Sequence, residues 1–293
     1  MALVNALQPI AFSSQLVVCL GLIALIGIPH GAIDHIIYSE GRKKTSIPIF
    51  IGMYLVTILG YSICWYFLPV LSLCFFLILS AYHFGQSQFS DVTSSWKWID
   101  RILYFAWGVA VLSALIVFNH NEIIEISALS EDMQVMMPLF DWDLHFILCL
   151  CGFGITLAIL SFHLHQNIIE SHRFFKEIYF LGLILLAFYI FPFLIGFTMY
   201  FVILHSLEVM DHEYSFLKKK GVVKSIADFV KLIVPLSLAS YAGMAILIYL
   251  VVLGIFDISY PLLSFVIISL ITLPHSFVMD DFYQRRNNKA VSN

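Results

Sequence analysis

Four histidines stand at the ends of long apolar runs: His30 in "IALIGIPHGAIDH", His83 in "LILSAYHFGQSQF", His205 in "YFVILHSLEVMDH" and His275 in "ISLITLPHSFVMDD". An ionisable group inside an apolar segment is costly, and such groups usually face a bundle interior, paired or functional. Imidazole is a ligand for iron, zinc, copper and nickel, whereas magnesium and calcium prefer oxygen. With no Cys or Met beside these positions to favour copper(I), an iron(II) or zinc site with open coordination positions remains. A liganding His usually donates its other ring N–H to a carboxylate or carbonyl, and residues three or four apart share a helix face. On that spacing Asp34, Gln86 and Glu208 are the expected partners of His30, His83 and His205. His35, roughly 140° around a helix from His30, and His212, about 10.5 Å along a helix from His205, are alternative ligands. Tyr82, Phe84, Tyr200 and Phe201 flank the histidines and are candidates to line a tunnel for a flat apolar ligand, with core packing as the plain alternative. His120, His145, His163, His165 and His172 lie in or beside loops and read as interface residues or helix–helix hydrogen bonds.

The elements that must hold these groups can be read from composition. The chain has 293 residues, 61% hydrophobic and only 12% charged, with a mean hydropathy of +0.94; an ordinary soluble domain is about one-quarter charged. Apolar stretches long enough to cross the roughly 30 Å hydrocarbon core as helices recur along its length, where a β-barrel would show short alternating segments. The expected fold is an all-α polytopic membrane helix bundle, one integral membrane domain over residues 1–293. About nine spans are expected, near 11–30, 47–68, 70–88, 100–118, 144–164, 174–191, 193–211, 229–253 and 260–279. Pro69 and Pro192 predict very tight second and sixth connections. "EIIEISALSEDMQVMM" in the fourth loop reads as a short amphipathic helix on the outer surface.

Basic residues in short loops mark the cytoplasmic side. Arg42, Lys43 and Lys44, then Lys97 and Arg101, Arg173 and Lys176, the lysines from Lys218 to Lys231, and Arg285, Arg286 and Lys289 all obey one assignment, with the N-terminus outside and the C-terminus cytoplasmic. The first, third, seventh and ninth spans then run from outside to inside. His30, His83, His205 and His275 fall at comparable depth near the inner leaflet, where four imidazoles from four helices can converge. The net charge of −4, with acids crowding the fourth loop, gives no sign of nucleic acid.

With "PHGAIDH", "SAYHFGQSQF", "LHSLE" and "LPHSF" in order, the chain resembles the Brp/Blh family of bacterial and archaeal beta-carotene 15,15'-dioxygenases over nearly its whole length. The resemblance implies a multi-pass enzyme of the bacterial inner membrane. It would use non-haem Fe(II) and O2 to split beta-carotene, drawn from membrane lipid, into two retinal molecules, often for a co-resident microbial rhodopsin. It also implies that His30, His83 and His205 are iron ligands. One position departs from the pattern: the family has a second His four residues after that of the His-Ser pair, and Val209 stands there. His275 or His35 could complete the site, His212 could be recruited, or three histidines could suffice; topology favours His275. A non-catalytic carotenoid- or retinal-handling protein that has lost full iron ligation, and a haem-binding membrane protein, are the competing readings.

Overall fold

The structure, a computed structural model, describes residues 12–39 and 47–291, and the side chains of residues 14–39 and 47–286. Arg42, Lys43 and Lys44 of the first loop lie outside the described residues, as does the Lys289 side chain.

All regular elements among the described residues are helical. Helix α1 (Phe12–Leu22) passes into a π-helical turn (Ile23–Gly27), a 3-10 turn (Pro29–Gly31) and the short α2 (Asp34–Ser39). Then come α3 (Ile47–Phe67), α4 (Pro69–Phe89) and α5 (Lys97–Phe118), followed by α6 (His120–Ser127), α7 (Glu131–Met136), α8 (Trp142–His165) and α9 (Ser171–Ile190). Helix α10 (Phe193–Met199) continues through a second π-helical turn (Tyr200–Ser206) into α11 (Leu207–Lys219), and α12 (Ile226–Val252) and α13 (Tyr260–Val291) complete the described chain.

Eight of these helical stretches are long and apolar enough to cross a membrane: Ser14–Ser39, α3, α4, α5, α8, Phe193–Lys219, α12 and Tyr260–Arg286. The protein is therefore an all-α, multi-pass membrane bundle. The ninth expected crossing forms as α9 but falls short of that group, because Arg173, Lys176 and Glu177 occupy its first two turns. Both proline joints are as tight as expected. Leu68 alone separates α3 from α4, with Pro69 at the first helical position, where its missing N–H costs nothing. Phe191 and Pro192 alone separate α9 from α10.

Helices α4 and α5 touch backbone to backbone. A Cβ added at Gly85 would lie 1.8 Å from the Tyr104 carbonyl oxygen, and one added at Gly108 would lie 1.7 Å from that of Ala81. Only glycine permits this approach, as at the small-residue contacts of other membrane helices. Behind it Phe89, Leu103, Trp107 and Val111 form a buried cluster with Leu160 and Phe188. The amphipathic segment of the fourth loop breaks into α6 and α7. Its apolar face packs on the bundle, where Ile123, Met133 and Met136 join Tyr61, Leu73 and Leu262. Asp132 ties this cap to the start of α13 by accepting the Ser259 N–H at 2.7 Å.

Candidate metal centre

Each of the four histidines arrives on a different segment: His30 on the 3-10 turn, His83 on α4, His205 on the second π turn and His275 on α13 directly after Pro274. The two π turns pack against each other through Gly27, where an added Cβ would come 2.6 Å from a ring carbon of Phe201. A π turn inserts one residue into a helix and re-aims the side chains beyond it, and such bulges occur often at functional sites. Here one precedes His30 and the other carries His205.

The four rings close a square. Ring centroids lie 4.5 Å apart for His30 and His275, 5.1 Å for His275 and His83, 4.9 Å for His83 and His205, and 5.4 Å for His205 and His30. One nitrogen each from His30, His83 and His275 lies within 4.8 Å of the others. His30 is 7% exposed, and the other three are 1–2% exposed.

Hydrogen bonds at Nδ1 set three of the tautomers. His275 donates Nδ1–H to the Asp34 carboxylate, 2.9 Å from Oδ1 and 3.1 Å from Oδ2. His30 Nδ1 pairs with the Gly27 carbonyl. The Ser87 hydroxyl spends its proton on the Phe84 carbonyl at 2.8 Å, so at 3.0 Å it accepts the His205 Nδ1–H. In each ring this leaves Nε2 with a free lone pair. Nε2 of His205 and of His275, and both nitrogens of His83, are buried without a hydrogen-bond partner. A buried unpaired polar atom costs about 1–3 kcal/mol. Several such acceptors converging in one place are the donor set of an imidazole-bound metal ion, and a cation of that kind fits these residues.

The expected supporting partners are redistributed. Asp34 does serve the cluster, but through His275, because the chain between His30 and Asp34 is a 3-10 turn followed by a two-residue turn and the four-residue helical repeat does not apply. Gln86 turns to α13, donating to Asp280 Oδ1 at 2.7 Å. Glu208 is half-buried and gives way to Ser87, because the π turn ends at Ser206 and alters the register between His205 and Glu208. Among the described residues, no ring contact joins His35 or His212 to the four. Val209 is 1% exposed within an apolar cluster that includes Ile33 and Met279.

The aromatic candidates also divide. Phe201 stacks on His205 with centroids 5.5 Å apart and meets His30 edge-on at 5.8 Å, while Phe84 lies 4.8 Å from His205. A cavity of about 320 Å³ is lined by His30, His275 and Phe201, by Tyr260, Ser264 and Thr272 of α13, and otherwise by apolar residues and glycines of α1, the first π turn and the residues that follow it, α12 and α13. Phe84 and Phe201 line a narrower cavity of about 110 Å³ beside it. Tyr82 and Tyr200 line neither: Tyr82 directs its hydroxyl to Asp280 at 3.5 Å, and Tyr200 packs behind Phe84 at 5.4 Å.

Comparison with known proteins bears on this arrangement. The profile of a family described as beta-carotene 15,15'-dioxygenase matches residues 21–283. A protein of uncultured marine bacterium 66A03, named beta-carotene 15,15'-dioxygenase, is 31% identical over 192 residues, 64% of this chain and 65% of the relative. The match thus spans just under two-thirds of that protein's length. No solved structure matches the chain.

Proposed function

The chain belongs to the beta-carotene 15,15'-dioxygenase family, and from that membership we propose that it is a carotenoid-cleaving enzyme of the bacterial inner membrane, splitting beta-carotene at its central double bond with O2. The observation that carries the reading is the clustering of four buried imidazoles, three of them with ring nitrogens that have no hydrogen-bond partner, two of which, His30 and His275, line a largely apolar cavity.

His30, His83, His205 and His275 are the proposed ligands of Fe(II). Bound there, the ion supplies open coordination positions and the redox chemistry that O2 requires. Everything else falls to the protein. Asp34, Ser87 and the Gly27 carbonyl hold three rings in the tautomer that presents Nε2, as outer partners of metal-bound histidines do. Phe84 and Phe201 wall the reacting region and keep it dry. The overall change needs no acid or base: one C=C bond and the O–O bond break, and each carbon takes one oxygen atom to form an aldehyde. Carbon is oxidised, oxygen is reduced, and no proton is gained or lost. Asp34 therefore orients, and the cleaved bond is selected by where the cavity holds the polyene. The products are two retinal molecules, available to a rhodopsin in the same membrane.

Two observations weigh against the competing readings. Each ring stands edge-on to its two neighbours in the cluster, so between any two opposite histidines the other two rings take up the space a porphyrin would need. Val209 does not leave the site short, because His275 supplies a fourth imidazole. Metal analysis of the purified protein, with cleavage measured in a beta-carotene-producing host, tests the proposal. His30→Ala, His83→Ala, His205→Ala and His275→Ala each lose metal and retinal formation, whereas His120→Ala and His172→Ala retain both. Equal effects in the two groups would overturn it.

A further inference from the structure

Helix α12 packs loosely on the bundle over its second half, where Tyr241 donates to the Ala24 carbonyl at 2.8 Å. Its buried residues are Phe229, Ile233 and Ser237, and none from residue 238 to 252 is buried. Between this half, α3 and α13 lies a cavity of about 500 Å³, lined by Tyr54 and Ile58 of α3 and by Ala239, Ser240 and Gly243 of α12 among others. It adjoins the histidine-lined cavity across Ile28, Gly31, Met244, Ile267 and Ile271, which wall both. On its other side the histidine-lined cavity shares Leu20, Ile23 and Phe201 with the narrow cavity beside Phe84. The two outer cavities have no wall residue in common. His30 and His275 therefore line the middle one of three.

A long stiff polyene that reacts at its midpoint must extend to both sides of the reacting centre, and a single blind pocket would put the metal at one end of it. Resting on the function proposed above, we infer that the cavity between α3, α12 and α13 receives one ringed half of the substrate, the other half lying in the cavities toward Phe84. The occupant is apolar, since Asp34, Tyr54 and Ser240 are the only hydrogen-bonding side chains in a wall otherwise built of apolar residues and glycine. Gly243 sets the bulk this half-site accepts. A Cβ built there meets nothing within 4 Å, so its missing side chain leaves room rather than closing a contact. Gly31 keeps the passage open at the metal, where a Cβ would lie 3.2 Å from His275 Nδ1.

The test compares two substrates on the full-length protein: beta-carotene, and an apo-carotenal that keeps one ringed half and is cut short just beyond the central bond. In Gly243→Phe the half-site is filled. Bound metal stays at the wild-type level, cleavage of beta-carotene falls at least about tenfold, and cleavage of the shortened substrate stays within about twofold. Ser240→Leu gives the same pattern and carries the test if Gly243→Phe does not fold. Unchanged cleavage of beta-carotene, as expected if the cavity holds only a lipid chain, overturns the inference, as does an equal loss on both substrates with metal retained. A wild-type protein that cleaves neither substrate instead removes the dioxygenase reading on which the inference rests.

Discussion

Asp34→Asn separates charge from shape at the metal centre. The Asp34 carboxylate accepts the His275 Nδ1–H with both oxygens and also accepts the Tyr54 hydroxyl at 3.3 Å. Both side chains of the His–Asp pair are 2% exposed, so water does not substitute for either. Asparagine keeps the volume and one carbonyl acceptor for Nδ1–H, and its NH2 can donate to Tyr54 in place of the lost bond. What disappears is the negative charge that raises the donor strength of Nε2. Loss of such an outer partner typically lowers metal affinity 10- to 100-fold, which is about 1.4–2.8 kcal/mol at 1.4 kcal/mol per tenfold. Ser87→Ala removes a neutral hydrogen bond worth about 0.5–1.5 kcal/mol, and so costs less. Glu208→Gln leaves affinity within about twofold, since Ser87 occupies the position that helical spacing would give to Glu208. An anaerobic Fe(II) titration against a competing chelator ranks the three variants, with circular dichroism to establish that each is folded. If Asp34→Asn binds as wild type does, or Glu208→Gln is as damaging as Asp34→Asn, the assignment of partners is refuted.

The same geometry sets three further outcomes. Gly108→Ala drives a Cβ into the Ala81 carbonyl; an obstacle of backbone rather than a side-chain tip places the cost at or above the about 1–3 kcal/mol of ordinary overpacking, seen as a lower unfolding temperature in detergent, and an unchanged temperature would contradict the close contact. Gly27→Ala pushes on Phe201, which stacks on His205, so retinal formation falls several-fold while the helical signal is kept; full activity would show that the contact between the π turns does not position the ring. At the outer cap, burial pushes the Asp132 carboxyl up, but the Ser259 N–H, the hydroxyls of Ser130 and Ser259 and the Met133 N–H together outweigh it and hold its pKa below the ordinary aspartate value. Its contribution is therefore complete above about pH 4 and is lost as the pH falls through the lowered value, so the protection factor of the backbone amides at residues 253–259, the intrinsic rate at each pH divided by the observed rate, falls in acid in the wild type, and Asp132→Asn shows the reduced protection already at neutral pH.

The crossings are legible because each rests on local composition: an apolar stretch of sufficient length has to be helical in lipid, where its backbone groups find no other partners. Pro69 and Pro192 announce their joints for an equally local reason, the lost N–H and fixed φ. The four histidines are legible as a set because a helix that ends in an imidazole at the same depth as three others has few reasons to do so. Helical spacing finds Asp34 but gives it to the wrong ring. By composition the fourth-loop segment is one surface helix, whereas its isoleucines and methionines dock on α3, α4 and α13.

Beyond the reach of the sequence is whatever depends on distant chain segments meeting. Ser87 and His205 are 118 residues apart, and Asp34 and His275 are 241 apart; no spacing rule reaches that far. The two π turns, the 3-10 turn at His30 and the backbone contact of α4 with α5 each rotate or shift a side chain by a fraction of a helical turn, and that fraction decides which acid faces which imidazole. Hydrophobicity, which acts on every residue independently, determined that this chain is a bundle of membrane helices with histidines near their ends. Packing, which acts between residues the chain brings together only once folded, decided that four of those histidines cluster ring against ring and that apolar cavities adjoin them.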